Sequence, residues 1–233
     1  MGPDAYAMTP EQATETIASV RDYRQALTAR AAGTLWLVWG LAMAGIAMMD
    51  VIIAPTIQVD PSTLEPGWNV QEHGWVYMLL PVTMLLGAVL ATNATWKAHA
   101  LEMRSRHRPW VAWLVAIGLV AAVAVVGLIA IALALTITDP SPAPGQPAFE
   151  NTYVFVTPVL SGGAALVLAV LLRRRVTPWP GLAAGIVLLA WMAVAPFALG
   201  GTLSDQVANA GIVHVVLCMA TLGAVGLLHF RRG

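Results

Sequence analysis

The sequence predicts an all-α polytopic membrane protein, a six-transmembrane-helix bundle with both termini on the cytoplasmic side. Three observations carry this expectation. Of the 233 residues, 58% are hydrophobic and only 10% are charged, whereas soluble domains run near 45–50% apolar and about 25% charged. Six apolar stretches reach the roughly 20 residues that a bilayer core of about 30 Å requires. The segments between them alternate in charge, which is the pattern that orients membrane proteins. The same composition excludes a disordered chain, a disulfide scaffold (Cys218 is the only cysteine) and a basic nucleic-acid binder.

The first 32 residues read as a cytoplasmic N-terminal helix, and residues 33–233 as the transmembrane domain. Thr9 is placed to cap the helix, Pro10 to occupy its first position and Gln12 to complete a capping box. Early acids (Glu11, Glu15) and late arginines (Arg21, Arg24, Arg30) suit the helix dipole. Ala13, Ile17, Val20, Leu27 and Ala31 fall near one face, which suits either the inner headgroups or a partner protein. A polar head of this length ahead of Gly33 predicts an uncleaved anchor rather than a signal peptide.

The six expected spans are Gly33–Ile53, Gly74–Trp96, Trp110–Ile137, Tyr153–Leu172, Trp179–Gly201 and Val207–His229. Asp50 is the one acidic or basic residue inside them, as the cost of a charge in hydrocarbon demands. All twelve Lys and Arg side chains fall in the segments assigned to the inside, among them Arg21, Arg24, Arg30, Lys97, Arg104, Arg106, Arg108 and Arg173–Arg175. The other connectors, 54–73, 138–152 and 202–206, hold only acids. The positive-inside rule therefore sets both termini in the cytoplasm, against an anionic inner leaflet. Eleven arginines to one lysine suggest a GC-rich bacterial genome and hence an inner membrane. Trp36, Trp39, Trp96, Trp110, Trp113 and Trp179 mark the inner boundary, and Trp75, Tyr77 and Tyr153 the outer one. Span three carries no strong polar group and is expected to be peripheral.

Few groups inside the spans carry chemistry. Pro81, Pro158 and Pro196 fall at similar depth below the outer end of their spans, where bent helices would open an outward vestibule. Asp50, Ser161, His214 and Cys218 are the polar candidates to line it, with His214 and Cys218 one helical turn apart. The plain alternative for His214 is an interhelical hydrogen bond. His214 and Cys218 make two metal ligands, and Asp50, Glu72 and His73 have no spacing that ties them to the pair, so no metal site and no cofactor is expected. Gly181-xxx-Gly185, Gly40-xxx-Ala44 and Ala220-xxx-Ala224 are small-residue faces for close helix packing.

Three resemblances add expectations. The opening Met8-Thr9-Pro10-Glu11-Gln12-Ala13 and the run Gly33-Thr34-Leu35-Trp36-Leu37-Val38-Trp39-Gly40 resemble a group of uncharacterised six-helix bacterial membrane proteins. The inner helix, six spans and basic connector Lys97 to Arg108 are similar in topology to membrane subunits of the ABC-2 type. That likeness implies a separate ATPase as partner, since no P-loop precedes Lys97. Leu160-Ser161-Gly162-Gly163 in span four with His214 in span six resembles rhomboid intramembrane proteases, which implies a Ser161 nucleophile and a His214 base. Val159 and Val213 stand where that family has glycine and alanine. The reading favoured is non-enzymatic, a permease-like or partner subunit with a lipid bilayer, a cytoplasmic ATPase or regulator, or a second copy as its partner. The protease is the alternative.

Overall fold

The computed structural model describes residues 8–53, 57–59, 66–68, 70–103, 113, 117–118, 150–198 and 203–231. Five helices hold nearly all of them: α1 (Pro10–Ile53), α2 (Val70–Glu102), α3 (Glu150–Leu172), α4 (Trp179–Ala198) and α5 (Leu203–Arg231). A short antiparallel pair, β1 (Ile57–Val59) with β2 (Pro66–Trp68), lies between α1 and α2 in register Ile57↔Trp68. The sequence reading contained no strand there.

The expected capping box forms. The Thr9 amide donates to Gln12 Oε1 at 3.1 Å, and the Gln12 amide donates to Thr9 Oγ1 at 3.3 Å. From this start α1 runs 44 residues without a break, about 66 Å at 1.5 Å per residue and twice the thickness of a bilayer core. Gly33 does not stop the helix. A Cβ there would lie 2.8 Å from the Gly226 carbonyl oxygen, so its role is close approach to α5. Gly226 answers it from α5, and Gly162 and Gly185 make the same kind of crossing between α3 and α4.

Helix directions follow from such contacts. Gly33 meets Gly226 and Phe230, Gly40 meets Leu222, and Gly211 meets Asp50, so α5 is antiparallel to α1. Gly45 meets Met84 and Trp39 bonds Thr92, so α2 is antiparallel to α1 as well. Asp50 bonds Thr157 while Gly181 adjoins Trp36 and Ala169, so α3 also descends beside α1 and α4 rises again. The N-terminal half of α1, the ends of α2 and α3 and the end of α5 therefore share one end of the bundle. Asp50 marks the other.

The core lies around α1. Trp36, Trp39 and Met43 are almost fully buried against Leu168 and Ala169 of α3, Leu188 of α4, and Leu222 and Val225 of α5. This corrects the reading of Trp36 and Trp39 as boundary residues: they face helices, and the Trp39 indole N–H donates to Thr92 Oγ1 at 3.1 Å. Trp179, at 72% exposure, remains outside.

The six-span bundle is not supported, although the helical class stands. Two of the five described helices are long and apolar enough to cross a membrane, over Pro10–Ile52 and Ala208–Arg231. In α3 and α4 the apolar stretches with described side chains, Thr157–Leu172 and Trp179–Trp191, are shorter than a crossing needs. In α2 the polar run of Thr92, Asn93, Thr95, Lys97 and His99 dilutes the apolar half. The expected span Trp110–Ile137 lies almost wholly outside the described residues.

Candidate functional site

Three helices bring polar side chains to one buried seam. Proline at 158 and glycines at 162 and 163 surround Ser161 on α3, and the tight Gly162–Gly185 crossing holds α4 against that face. α5 supplies His214 and Cys218 one turn apart, which is the spacing that puts them on one face. Ser161 Oγ lies 2.8 Å from His214 Nε2, and Cys218 Sγ lies 3.5 Å from the same nitrogen. All three are buried, with at most 1% of their surface exposed.

The hydrogen-bond accounting assigns the protons. Ser161 Oγ is also within 3.1 Å of the Pro158 carbonyl oxygen, to which its hydroxyl donates. His214 Nδ1 is buried without a hydrogen bond of ordinary distance and angle, and the Thr157 backbone is the one group that acts on the ring as a weak hydrogen-bond partner. A proton on Nδ1 would thus be a poorly satisfied buried donor, at a cost of up to about 1–3 kcal/mol. A proton on Nε2 is satisfied by Ser161 Oγ, so Nε2–H donates to Ser161 and Ser161 donates to Pro158. A serine nucleophile needs the reverse, with Nδ1 protonated and held by a third group.

One turn toward the Asp50 end of the bundle, Thr157 Oγ1 donates to Asp50 Oδ2. Gly211 of α5 abuts the same residue, since a Cβ there would lie 2.9 Å from Asp50 Cβ. Asp50 therefore continues the seam that Ser161 and His214 begin. Thr157 escaped the sequence reading because a threonine in an apolar span carries no signal until its partner is known.

The remaining candidates separate. Pro158 belongs to the seam, Pro81 is half-buried on α2, and Pro196 lies in the last turn of α4 with its side chain outside the described set. Among the described residues, no three His, Cys, Asp or Glu side chains gather as metal ligands.

At the opposite end lies a basic face. Arg21, Arg24, Arg174 and Arg175 line one concavity of about 740 Å³, and Arg173–Arg175 line a second of about 560 Å³ beside His229. Arg175 stacks over Trp96 at 4.5 Å from the ring centroid. Buried His99 is held below the usual histidine range by desolvation and by the charge of Arg175. Arg30 and Lys97 are exposed at this end, while Arg104, Arg106 and Arg108 lie outside the described residues. No protein-family profile, characterised protein or solved structure matches the chain.

Proposed function

We propose that this is a non-enzymatic inner-membrane protein that serves as the membrane-bound partner subunit of a separate cytoplasmic protein. The observation that carries the reading is the N-terminal part of α1. From Pro10 to Gln25 every residue except Ala13 is exposed, including Ile17 at 70%, Val20 at 45% and Tyr23 at 61%. Among the described residues nothing packs over these apolar side chains, so this end of α1 is held only by its continuity with the packed half. A docked protein would bury Ile17, Val20 and Tyr23 and hold the helix. An ATPase, as in the ABC-2 likeness, is one protein of that kind.

Membrane integration is supported by the inverted surface of the bundle. Leu41, Leu86, Ile186 and Val216 are each more than half exposed, while Ser161 and His214 are inside. The clustering of arginines at one end supports placing that end, and with it both termini, in the cytoplasm. The packed seam speaks against an open vestibule, so the partner role is favoured over solute passage.

The test is the mass of the protein extracted in mild detergent, for wild type and for the Ile17→Glu/Val20→Glu variant. An assembly that contains a second protein species in fixed ratio, reduced to the bare chain in the variant, is expected. A wild-type protein that runs as the bare chain, or as copies of itself only, contradicts the reading.

A second reading is favoured by the 2.8 Å separation of Ser161 and His214. It makes the pair a serine nucleophile and base of an intramembrane hydrolase. Covalent labelling of Ser161 by a fluorophosphonate, abolished in His214→Ala, would establish it; absence of labelling in a membrane-inserted sample would remove it.

A further inference from the structure

We propose that the concavity between the N-terminal part of α1 and the Arg173–Arg175 turn is a binding site for a phosphate group, carried either by a phospholipid headgroup or by a free phosphate compound. The site adjoins the partner surface, since Ile17 and Val20 line the same concavity; the test below uses the chain without a partner, so the two readings fail separately.

Its walls come from two separated parts of the chain. The exposed turns of α1 contribute Arg21 and Arg24, and the turn after α3 contributes Arg174 and Arg175. That turn is fixed by its own backbone: the Arg175 and Val176 amides donate to the Leu172 carbonyl at 2.8 and 3.0 Å. Arg175 is further held by the face of Trp96. Its guanidinium is thus pre-ordered, and less side-chain freedom is lost when a ligand arrives.

The lining has no acid. Neither concavity includes Asp or Glu, and among the described residues no carboxylate pairs with Arg21, Arg24, Arg173 or Arg174. Structural arginines are ordinarily neutralised by neighbouring carboxylates. Here Arg21, Arg24, Arg174 and Arg175 line one concavity, and Arg173 its neighbour, with no carboxylate among the described residues to neutralise them, so their charge is open to a ligand. The neutral groups agree. Thr16 and Thr28 spend their hydroxyl protons on the Gln12 and Arg24 carbonyls, so the donors that face the space are the guanidinium N–H groups and the Gln25 amide. Ile17, Val20 and Met103 complete the lining, and four arginines beside them suit a phosphate, whose several oxygens accept from arginine forks two at a time.

Both sources fit the position. Val170 and Leu171, half exposed, end the apolar flank of α3 immediately before Arg173, so a lipid chain along that flank would deliver its headgroup to the turn. The concavity then extends away from that flank along α1 toward Thr16, which leaves it open to a water-soluble phosphate as well.

The experiment uses the full chain purified in a neutral detergent. One arm titrates inorganic pyrophosphate by calorimetry, and the other adds phosphatidylglycerol or phosphatidylcholine and counts bound lipid by native mass spectrometry. Wild type, Arg24→Gln/Arg174→Gln and the control Arg231→Gln are compared, with a thermal melt to establish that each is folded. Saturable binding of pyrophosphate or of phosphatidylglycerol over phosphatidylcholine is expected, weakened about tenfold or more in the double variant and unchanged in the control. The arm that binds identifies the source. Absence of saturable binding to wild type in both arms overturns the proposal, whatever the variants do. So does equal loss in the control, or binding of an acidic peptide alone.

Discussion

Replacing Ser161 by alanine removes one atom from the most buried polar contact of the bundle, and the geometry fixes what should follow. His214 Nε2 loses a partner at 2.8 Å and keeps only Cys218 Sγ at 3.5 Å, while Nδ1 has at best the weak Thr157 backbone contact. Neither ring nitrogen then has a good hydrogen bond, in a side chain that is 1% exposed. A buried group left unsatisfied costs about 1–3 kcal/mol, but hydrogen bonds between membrane helices average nearer 0.6 and reach about 1.7 kcal/mol. The expected loss is therefore about 1–2 kcal/mol. A double-mutant cycle with His214→Leu isolates the pair. Its coupling should be about 0.6–1.7 kcal/mol, or roughly threefold to twentyfold in the folded-to-unfolded ratio. Tryptophan fluorescence during denaturant unfolding in micelles reads it, since Trp36 and Trp39 report core packing. Coupling indistinguishable from zero would refute the view that this pair holds α3 to α5.

Further outcomes follow from the same structure. Nitrogen NMR of labelled histidine should find the His214 proton on Nε2; a proton on Nδ1 would turn the argument toward the hydrolase. Gly226→Ala puts a Cβ 2.7 Å from Leu37 Cγ and 3.1 Å from the Gly33 carbonyl oxygen, and should cost about 1–3 kcal/mol in a denaturant titration. Gly223→Ala, one turn away with no neighbouring atom within 4 Å, should instead be neutral or gain up to about 1 kcal/mol from helix propensity. His99 binds its proton less readily in the folded chain than in the unfolded one. Stability is therefore full above the ordinary histidine value of about 6.5 and falls as pH drops below it. His99→Gln should flatten that slope in melts between about pH 7 and pH 5.

The sequence showed the local features and missed those that depend on neighbours. The Thr9–Gln12 cap was legible because its two residues and their spacing are the whole signal. Ser161 and His214 stood out singly, since each is a polar residue in a stretch where polar residues are expensive, but their meeting depends on how α3 packs on α5 and was not legible. The continuity of α1 past residue 32 was hidden by a change in composition, from polar to apolar at Gly33, that looks like a boundary but contains no helix breaker. Trp36 and Trp39 illustrate the same limit: a tryptophan near a span edge suits both a headgroup and a core, and only the arrival of α3, α4 and α5 decides. Six spans were expected from apolar length alone, whereas two of the described helices are long and apolar enough to cross a membrane. The arginine concavity unites residues about 150 positions apart, and no periodicity in either segment announces the other.

Hydrogen exchange along residues 10–25 tests the central claim most directly, because that length of α1 is the surface assigned to a partner. It should be measured on the protein in its native membranes and again on the purified chain in detergent. The account predicts slow exchange in the membranes, where the partner covers Ile17, Val20 and Tyr23, and fast exchange once the chain is alone. Equal and fast exchange in both samples would contradict it.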